Sequence, residues 1–273
     1  HHPAAFFCAL LNSQPMGFYA PAQLVQAARR QDVEILPLDV NVSELACTLE
    51  RGKAPRLRLG FCLVHGLSAL VAERIQRCGG ARQFRDMEDF NARVLPDRKS
   101  LELLAAADAF STLAGNRHHA HWQASGIEGP MPLWQHRQQQ EAMPLLRAPS
   151  EGDNVVADYE SMGLTLRRHP LALLRHELNR LQVRLISELA ELPDAALVHS
   201  AGLVITRQRP GTANNVTFVT LEDDTGYLNL VVWEQLAEAR RSVLLRSRLM
   251  GVTGRLQKQN GVLHLIATRL EDY

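Results

Sequence analysis

The stretch Val216-Thr217-Phe218-Val219-Thr220-Leu221-Glu222-Asp223-Asp224-Thr225-Gly226-Tyr227-Leu228-Asn229-Leu230-Val231-Val232-Trp233 decides the fold of the C-terminal third. Val219 and Leu221 share one face of an extended segment, which leaves Phe218 and Thr220 on the other. After the turn, Leu228, Leu230 and Val232 share a face, opposite Tyr227, Asn229, Val231 and Trp233. Strict alternation on both sides of a short polar link is the pattern of two paired strands with one buried face. Asp223-Asp224-Thr225-Gly226 supplies the turn, because Asp bonds backbone two residues on and Gly accepts positive φ. The two aspartates therefore make the turn and not a catalytic carboxylate pair.

Working outward, His199 to Arg207 precedes this hairpin as a further strand-like run. Leu249 to Leu256 and Val262 to Thr268 follow it, joined by Asn260-Gly261, a second strong hairpin signal. Glu234 to Arg246 has helical composition. Three strands, a helix and two strands is the order of a five-stranded OB-fold β-barrel.

If the aliphatic faces fill that barrel, Phe218, Tyr227, Asn229 and Trp233 lie outside on its second and third strands. Exposed rings there can stack on nucleic-acid bases. Arg207 and Arg209 are expected in the first long loop, and Arg255 and Lys258 in the loop joining the last two strands. These eight residues form the candidate single-stranded DNA site. The alternative is a protein-interaction module, with the barrel docking an accessory factor through the same face.

The first 128 residues read as mainly helical. Pro3 to Asn12 and Pro21 to Arg30 each open on proline, which suits a first helical turn. Pro15-Met16-Gly17 turns between them, and Ile35-Leu36-Pro37-Leu38 is short and extended, with Asp39 and Asn41 in an ordered loop. A longer helical region covers Leu63 to Leu113. Within it Leu67, Leu70, Val71 and Ile75 recur at three- and four-residue spacing as one apolar face, as do Met87, Phe90 and Val94. Leu101, Leu104 and Phe110 mark a third helix. Between apolar pairs, Val64-His65-Gly66-Leu67 has the pattern of a helix-hairpin-helix motif, which grips duplex phosphates through backbone N–H groups. His118, His119, His121 and Trp122 lack a placed acidic or Cys partner for zinc and read as a helix end.

Composition bounds the rest. The chain has 273 residues, 46% hydrophobic and 5% aromatic, so it can build packed cores, and 30 Lys+Arg balance 29 Asp+Glu to a net charge of +1. All but Lys53, Lys99 and Lys258 of those cations are Arg, whose planar fork suits phosphate. Cys8, Cys47, Cys62 and Cys78 form no CxxC pair and read as reduced, mostly buried thiols of a cytoplasmic protein. No run reaches the ~20 apolar residues of a membrane span, and no phosphate-loop, dinucleotide or nucleophile-elbow motif occurs. The chain starts at His1 with no leader, as an excised or processed piece would. Gly129-Pro130-Met131-Pro132, Gln138-Gln139-Gln140-Glu141 and Ala148-Pro149-Ser150 suggest a linker over 129–157. The multidomain α+β organisation is then 1–50, a helix-hairpin-helix region over 51–128, the linker, a helical connector over 158–194, and the barrel over 195–273.

Longer stretches resemble one family. His2-Pro3-Ala4-Ala5-Phe6, Ala9-Leu10-Leu11-Asn12-Ser13-Gln14-Pro15-Met16-Gly17-Phe18-Tyr19, Ala28-Arg29-Arg30 and Val33-Glu34-Ile35-Leu36-Pro37-Leu38-Asp39-Val40-Asn41 resemble the end of the fingers region of bacterial C-family, alpha-type DNA polymerases. The wording Asn12 to Tyr19 is nearer their error-prone, damage-inducible branch. Leu57-Arg58-Leu59-Gly60, His65-Gly66-Leu67 and Phe84 to Arg93 are similar to the family's hairpin region. Gly163-Leu164, His169-Pro170-Leu171, Ala201-Gly202-Leu203-Val204 and Thr220 to Gly226 are similar to its connector and barrel. The resemblance implies that the catalytic carboxylates, and their Mg2+, lie in a palm upstream of His1, so no catalytic residue, metal or cofactor is expected here. It implies contact with primer-template duplex and single-stranded template during translesion synthesis in the DNA-damage response. Two departures stand out. Ala107-Asp108-Ala109-Phe110 has Asp where the family often has Gly, which argues for a structural turn. Gln140-Glu141-Ala142-Met143-Pro144 has proline in place of the aromatic of the replicative relatives' sliding-clamp motif. Clamp access would then run through a Y-family-like accessory protein.

Overall fold

The computed structural model describes residues 2–17, 19–126, 145–211, 215–259 and 262–273. The Gly129 to Pro132 and Gln138 to Pro144 segments, the Asn260-Gly261 turn and Phe18 lie outside them. The chain divides into two compact units, residues 1–167 and 168–273.

In the first unit, α1 (Pro3–Asn12) and α2 (Pro21–Arg29) both start on proline, as expected. β1 (Ile35–Leu36), β2 (Thr48–Glu50) and β3 (Arg56–Arg58) form a small sheet in the order β1-β3-β2, parallel between β1 and β3. The last two strands were not legible in the sequence. A 3-10 turn over Phe61–Leu63 leads to α3 (Ala69–Ala81), α4 (Met87–Val94), α5 (Arg98–Ala106), α6 (Ser111–Ala114) and α7 (Arg117–Gly126). Asp86 and Asp97 cap α4 and α5, accepting from the N–H groups of Asp89 and Ser100 at 2.7 Å each. Phe84, Phe90 and Phe110 meet edge to face at 5.0 and 4.9 Å and centre the core with Ile75, Leu101 and Leu104. Leu70 departs from its expected face. It is 71% exposed in the first turn of α3, and Ala72, Ile75 and Gly79 are the residues that helix buries.

Residues 151–157 correct the linker assignment. They open α8 (Glu151–Met162), where Ser150 and Asp153 form a reciprocal capping box and Gly163 ends the helix at φ +68°. Ala148-Pro149-Ser150, read as part of the linker, is the composition that leads into this cap.

The second unit begins with α9 (Pro170–Leu173), α10 (Arg175–Arg180) and α11 (Ile186–Leu189). Its barrel comprises β4 (Leu197–Gln208), β5 (Thr217–Glu222), β6 (Tyr227–Val232), β7 (Leu249–Gln259) and β8 (Val262–Asp272), closed in the order β4-β5-β6-β8-β7. The helical run between β6 and β7 breaks at Arg240 into α12 (Glu234–Ala239) and α13 (Arg241–Arg246). Val219, Leu221, Leu228, Leu230 and Val232 are buried inside, the face that alternation assigned. Asp223 holds the β5–β6 turn, its Oδ1 accepting from the N–H groups of Thr225 at 2.7 Å and Gly226 at 2.9 Å. Where β7 and β8 shift register, a Cβ on Gly254 would meet the Ile266 carbonyl oxygen at 2.3 Å, so only glycine fits.

Candidate nucleic-acid interface

The barrel's outward face follows from its register. Phe218 pairs with Val231, Val231 with Ile266, and Ile266 with Arg255, which makes one row across β5, β6, β8 and β7. The adjacent row is Thr206, Thr220, Asn229, His264 and Gln257. Thr220 Oγ1 donates to Asn229 Oδ1 at 3.1 Å, and His264 Nδ1 has no partner among the described residues. Phe218 and Tyr227 are each 38% exposed and Trp233 is 54% exposed. Trp233 stands two residues beyond Val231, at Phe218's end of the hairpin. Tyr227 pairs with Glu222 at the other end, four residues or ~13 Å along the strand. The three rings therefore do not form one cluster.

The cations are placed differently from the sequence expectation, and three of the four lie in strands rather than loops. Arg207 is in β4, opposite the interior residue Val219. Its Nε donates to the Leu244 carbonyl at 2.5 Å and its Nη2 to that of Ser247, which caps the end of α13. Burial pushes its guanidinium below its ordinary value. Arg207 thus closes the end of the barrel instead of facing outward. Arg209 reaches Glu234 at 3.5 Å, an exposed pair. Lys258, in β7, donates through Nζ to the Ala190 carbonyl at 2.6 Å. Arg255, also in β7, is exposed in the outer row and reaches the Ala195 carbonyl at 3.3 Å.

In the first unit, Gly66 turns the hairpin at φ +79°, a conformation that favours glycine, and a Cβ at that position would meet only Leu103 Cδ1, at 3.7 Å. Backbone conformation rather than space is therefore what selects glycine there. Three of the four expected phosphate-binding residues have committed N–H groups. Val64 donates to Phe61 at 3.0 Å, His65 to Ser161 at 2.8 Å and Leu67 to Val64 at 3.3 Å. The N–H groups of Gly66 and of Ser68, Ala69 and Leu70 at the start of α3 find no acceptor among the described residues. A first helical turn has no intrahelical acceptors, so its N–H groups collect at the exposed end. Ser68, Ala69 and Leu70 are absent from the sequence expectation, although a serine directly after Gly-Leu is an N-cap signal.

The second turn, at Asp108, is closed. Asp108 has φ +59°, its N–H donates to Ala105, and its carboxylate accepts from Arg167 at 2.8 Å. Arg167 also lies 3.5 Å from Asp158, which pairs with buried Arg117 and accepts from Thr165 at 2.6 Å. Burial raises the Asp108 carboxyl above the ordinary range, opposed by Arg117 and Arg167. His119 contacts Asn116 at 3.2 Å at the start of α7, and His118 contacts the carbonyl of Arg147, 29 residues along the chain, at 2.8 Å.

Two families match separate parts of the chain. The helix-hairpin-helix motif family matches residues 32–120, and the OB-fold nucleic acid binding domain family matches residues 198–273. Proteins named error-prone DNA polymerase align with all of this chain, at 50% identity in Methylococcus capsulatus, 51% in Alkalilimnicola ehrlichii and 45% in Pseudomonas savastanoi. The chain spans 28%, 27% and 27% of those relatives respectively.

Proposed function

We propose that this chain, homologous over its whole length to a segment of the error-prone DNA polymerases, is the DNA-holding segment of such an enzyme. The first hairpin would hold the phosphates of primer-template duplex through Gly66 and the α3 N-terminus. The barrel would hold single-stranded template across the rows containing Phe218, Asn229 and Arg255, with Trp233 and Tyr227 at the two ends of β6. Nucleotidyl transfer, with its Mg2+, is assigned to another segment of the parent enzyme, acting on damaged template. The sliding clamp would be reached through an accessory protein in the cytoplasm.

The observation that carries this reading is the continuous outer row from Phe218 to Arg255, on a barrel whose family is described by nucleic-acid binding. A rim of local charge supports binding to a polyanion at a net charge of +1, because contacts are set by local density. One observation favours the alternative of protein docking. Arg207 and Lys258 are tied to carbonyl groups within the unit, which thins that rim.

Anisotropy of labelled single-stranded DNA over a range of salt concentrations separates the two. Affinity should fall as salt rises, and Trp233→Ala should weaken it roughly tenfold, the loss of one stacked base at ~1–3 kcal/mol. Binding that is absent at moderate salt, or indifferent to Trp233, would favour docking of a protein factor.

A further inference from the structure

Three of the four cysteines converge on one asparagine. The Cys47 backbone N–H donates to Asn12 Oδ1 at 2.7 Å, and Asn12 Nδ2 donates to the Cys47 carbonyl at 2.9 Å. Cys8 Sγ lies 3.8 Å from Asn12 Nδ2, and Cys62 Sγ lies 3.9 Å from Asn12 Oδ1. Two backbone segments present Cys47 and Cys62 to each other. Phe61 and Cys62 donate to the carbonyls of Glu44 and Leu45 at 2.9 and 2.8 Å, and Gly60 donates to Cys47 Sγ at 3.4 Å. Cys62 is exposed, whereas Cys8 and Cys47 are buried.

We propose that Cys62 and Cys47 form a peroxide-oxidisable pair, in which solvent-facing Cys62 is attacked first and buried Cys47 resolves it to an intramolecular disulfide. Two features divide the roles. The neighbouring Cys47 thiol, opposed by burial, lowers the Cys62 thiol below its ordinary value and so favours its thiolate. The Cys8 thiol is instead donated to the Cys47 carbonyl at 3.2 Å, while the Cys47 thiol, pushed up first by its hydrogen bond to Cys62 and then by burial, is released from that bond once Cys62 is oxidised.

The steps balance with a hydroperoxide as oxidant. The Cys62 thiolate attacks one peroxide oxygen, the O–O bond breaks, and the departing oxygen leaves with a proton as water or an alcohol. Sulfur is oxidised by two electrons to the sulfenic acid and the peroxide is reduced. Cys47 sulfur then attacks Cys62 sulfur. The S–S bond forms, the S–O bond breaks, and the hydroxyl leaves with the Cys47 proton as water.

The test treats the reduced 273-residue chain with hydrogen peroxide at pH 7. It follows each cysteine by dimedone trapping, differential alkylation and peptide mass mapping. Cys62 should react about tenfold faster than half-buried Cys78, as expected from its exposure. The product should be a Cys47–Cys62 cross-linked peptide two hydrogens lighter, reversed by dithiothreitol. Cys62→Ser, at an exposed position, should fold and lose the cross-link. Cys47→Ser should accumulate dimedone-trappable Cys62. If Cys47→Ser does not fold, mapping of the wild-type chain decides alone. Oxidation of Cys62 no faster than Cys78, a cross-link to Cys8, or overoxidation of Cys62 without any cross-link would overturn the proposal.

Discussion

In β4 the pairing with β5 passes from Val204 opposite Leu221 to Thr206 opposite Thr220, leaving Ile205 unpaired between them. One extra residue reverses the alternation that follows it, because side chains repeat every two positions along a strand. Without that bulge Arg207 would face outward beside Phe218. With it, Arg207 points inward and donates to the carbonyls of Leu244 and Ser247. Nothing in the local sequence marks Ile205 as bulged, so the direction of Arg207 was not legible, whereas that of Phe218 followed from plain alternation. The two arginines of the barrel should consequently separate by experiment. Arg207→Ala should cost about 2 kcal/mol in urea unfolding, since charged hydrogen bonds to helix-end carbonyls are lost. It should leave the salt dependence of single-strand binding unchanged. Arg255→Ala should leave stability within ~0.5 kcal/mol and reduce the salt slope by ~0.7, the share of one phosphate contact.

At the scale of elements, short polar side chains decide where helices begin. Asp97 starts α5, and Asp153 with Ser150 starts α8. Each carboxyl is held below its ordinary value by these caps. For Asp97 the side-chain and backbone bonds from Ser100 are responsible, and for Asp153 those from Ser150. A carboxyl depressed in the folded state binds protons less tightly there than in the unfolded chain. Its stabilisation is therefore present above the ordinary value near ~4 and is lost as pH falls through the depressed folded value. Thermal melts between pH 7 and pH 2 should show the first unit weakening through that window. Asp97→Asn should flatten the acid limb, and an unchanged limb would mean that the cap does not couple to folding. The same caps explain the uneven legibility of the helical unit. Asp86 and Asp97 precede clear apolar periods, so α4 and α5 were readable. Ser150 follows Ala148-Pro149 and precedes Gly152, so turn composition masked a capping box. β2 and β3 are three residues each and pair across five residues, too short for any period to emerge.

Across the whole molecule, each of the two units carries its own core and its own candidate DNA surface. The barrel was readable because its hairpins encode their own register through Asp223 and Gly226. Its outer rows were only half readable, since the parallel pairing of β6 with β8 has no local turn to count from. That pairing adds His264 and Ile266 to Phe218 and Asn229. The hairpin was legible through Gly66, but the N–H groups without an acceptor belong to the residues after it as much as to those named in the motif. The central claim is that the first hairpin holds duplex and the barrel holds single strand. Parallel anisotropy titrations of the wild-type chain, Gly66→Ala and Phe218→Ala, each with duplex and with single-stranded DNA at fixed salt, test it most directly. Gly66→Ala should weaken duplex binding several-fold and spare the single strand, while Phe218→Ala should weaken single-strand binding roughly tenfold and spare the duplex. Equal losses on both ligands from either substitution, or none from both, would contradict the assignment of one ligand to each unit.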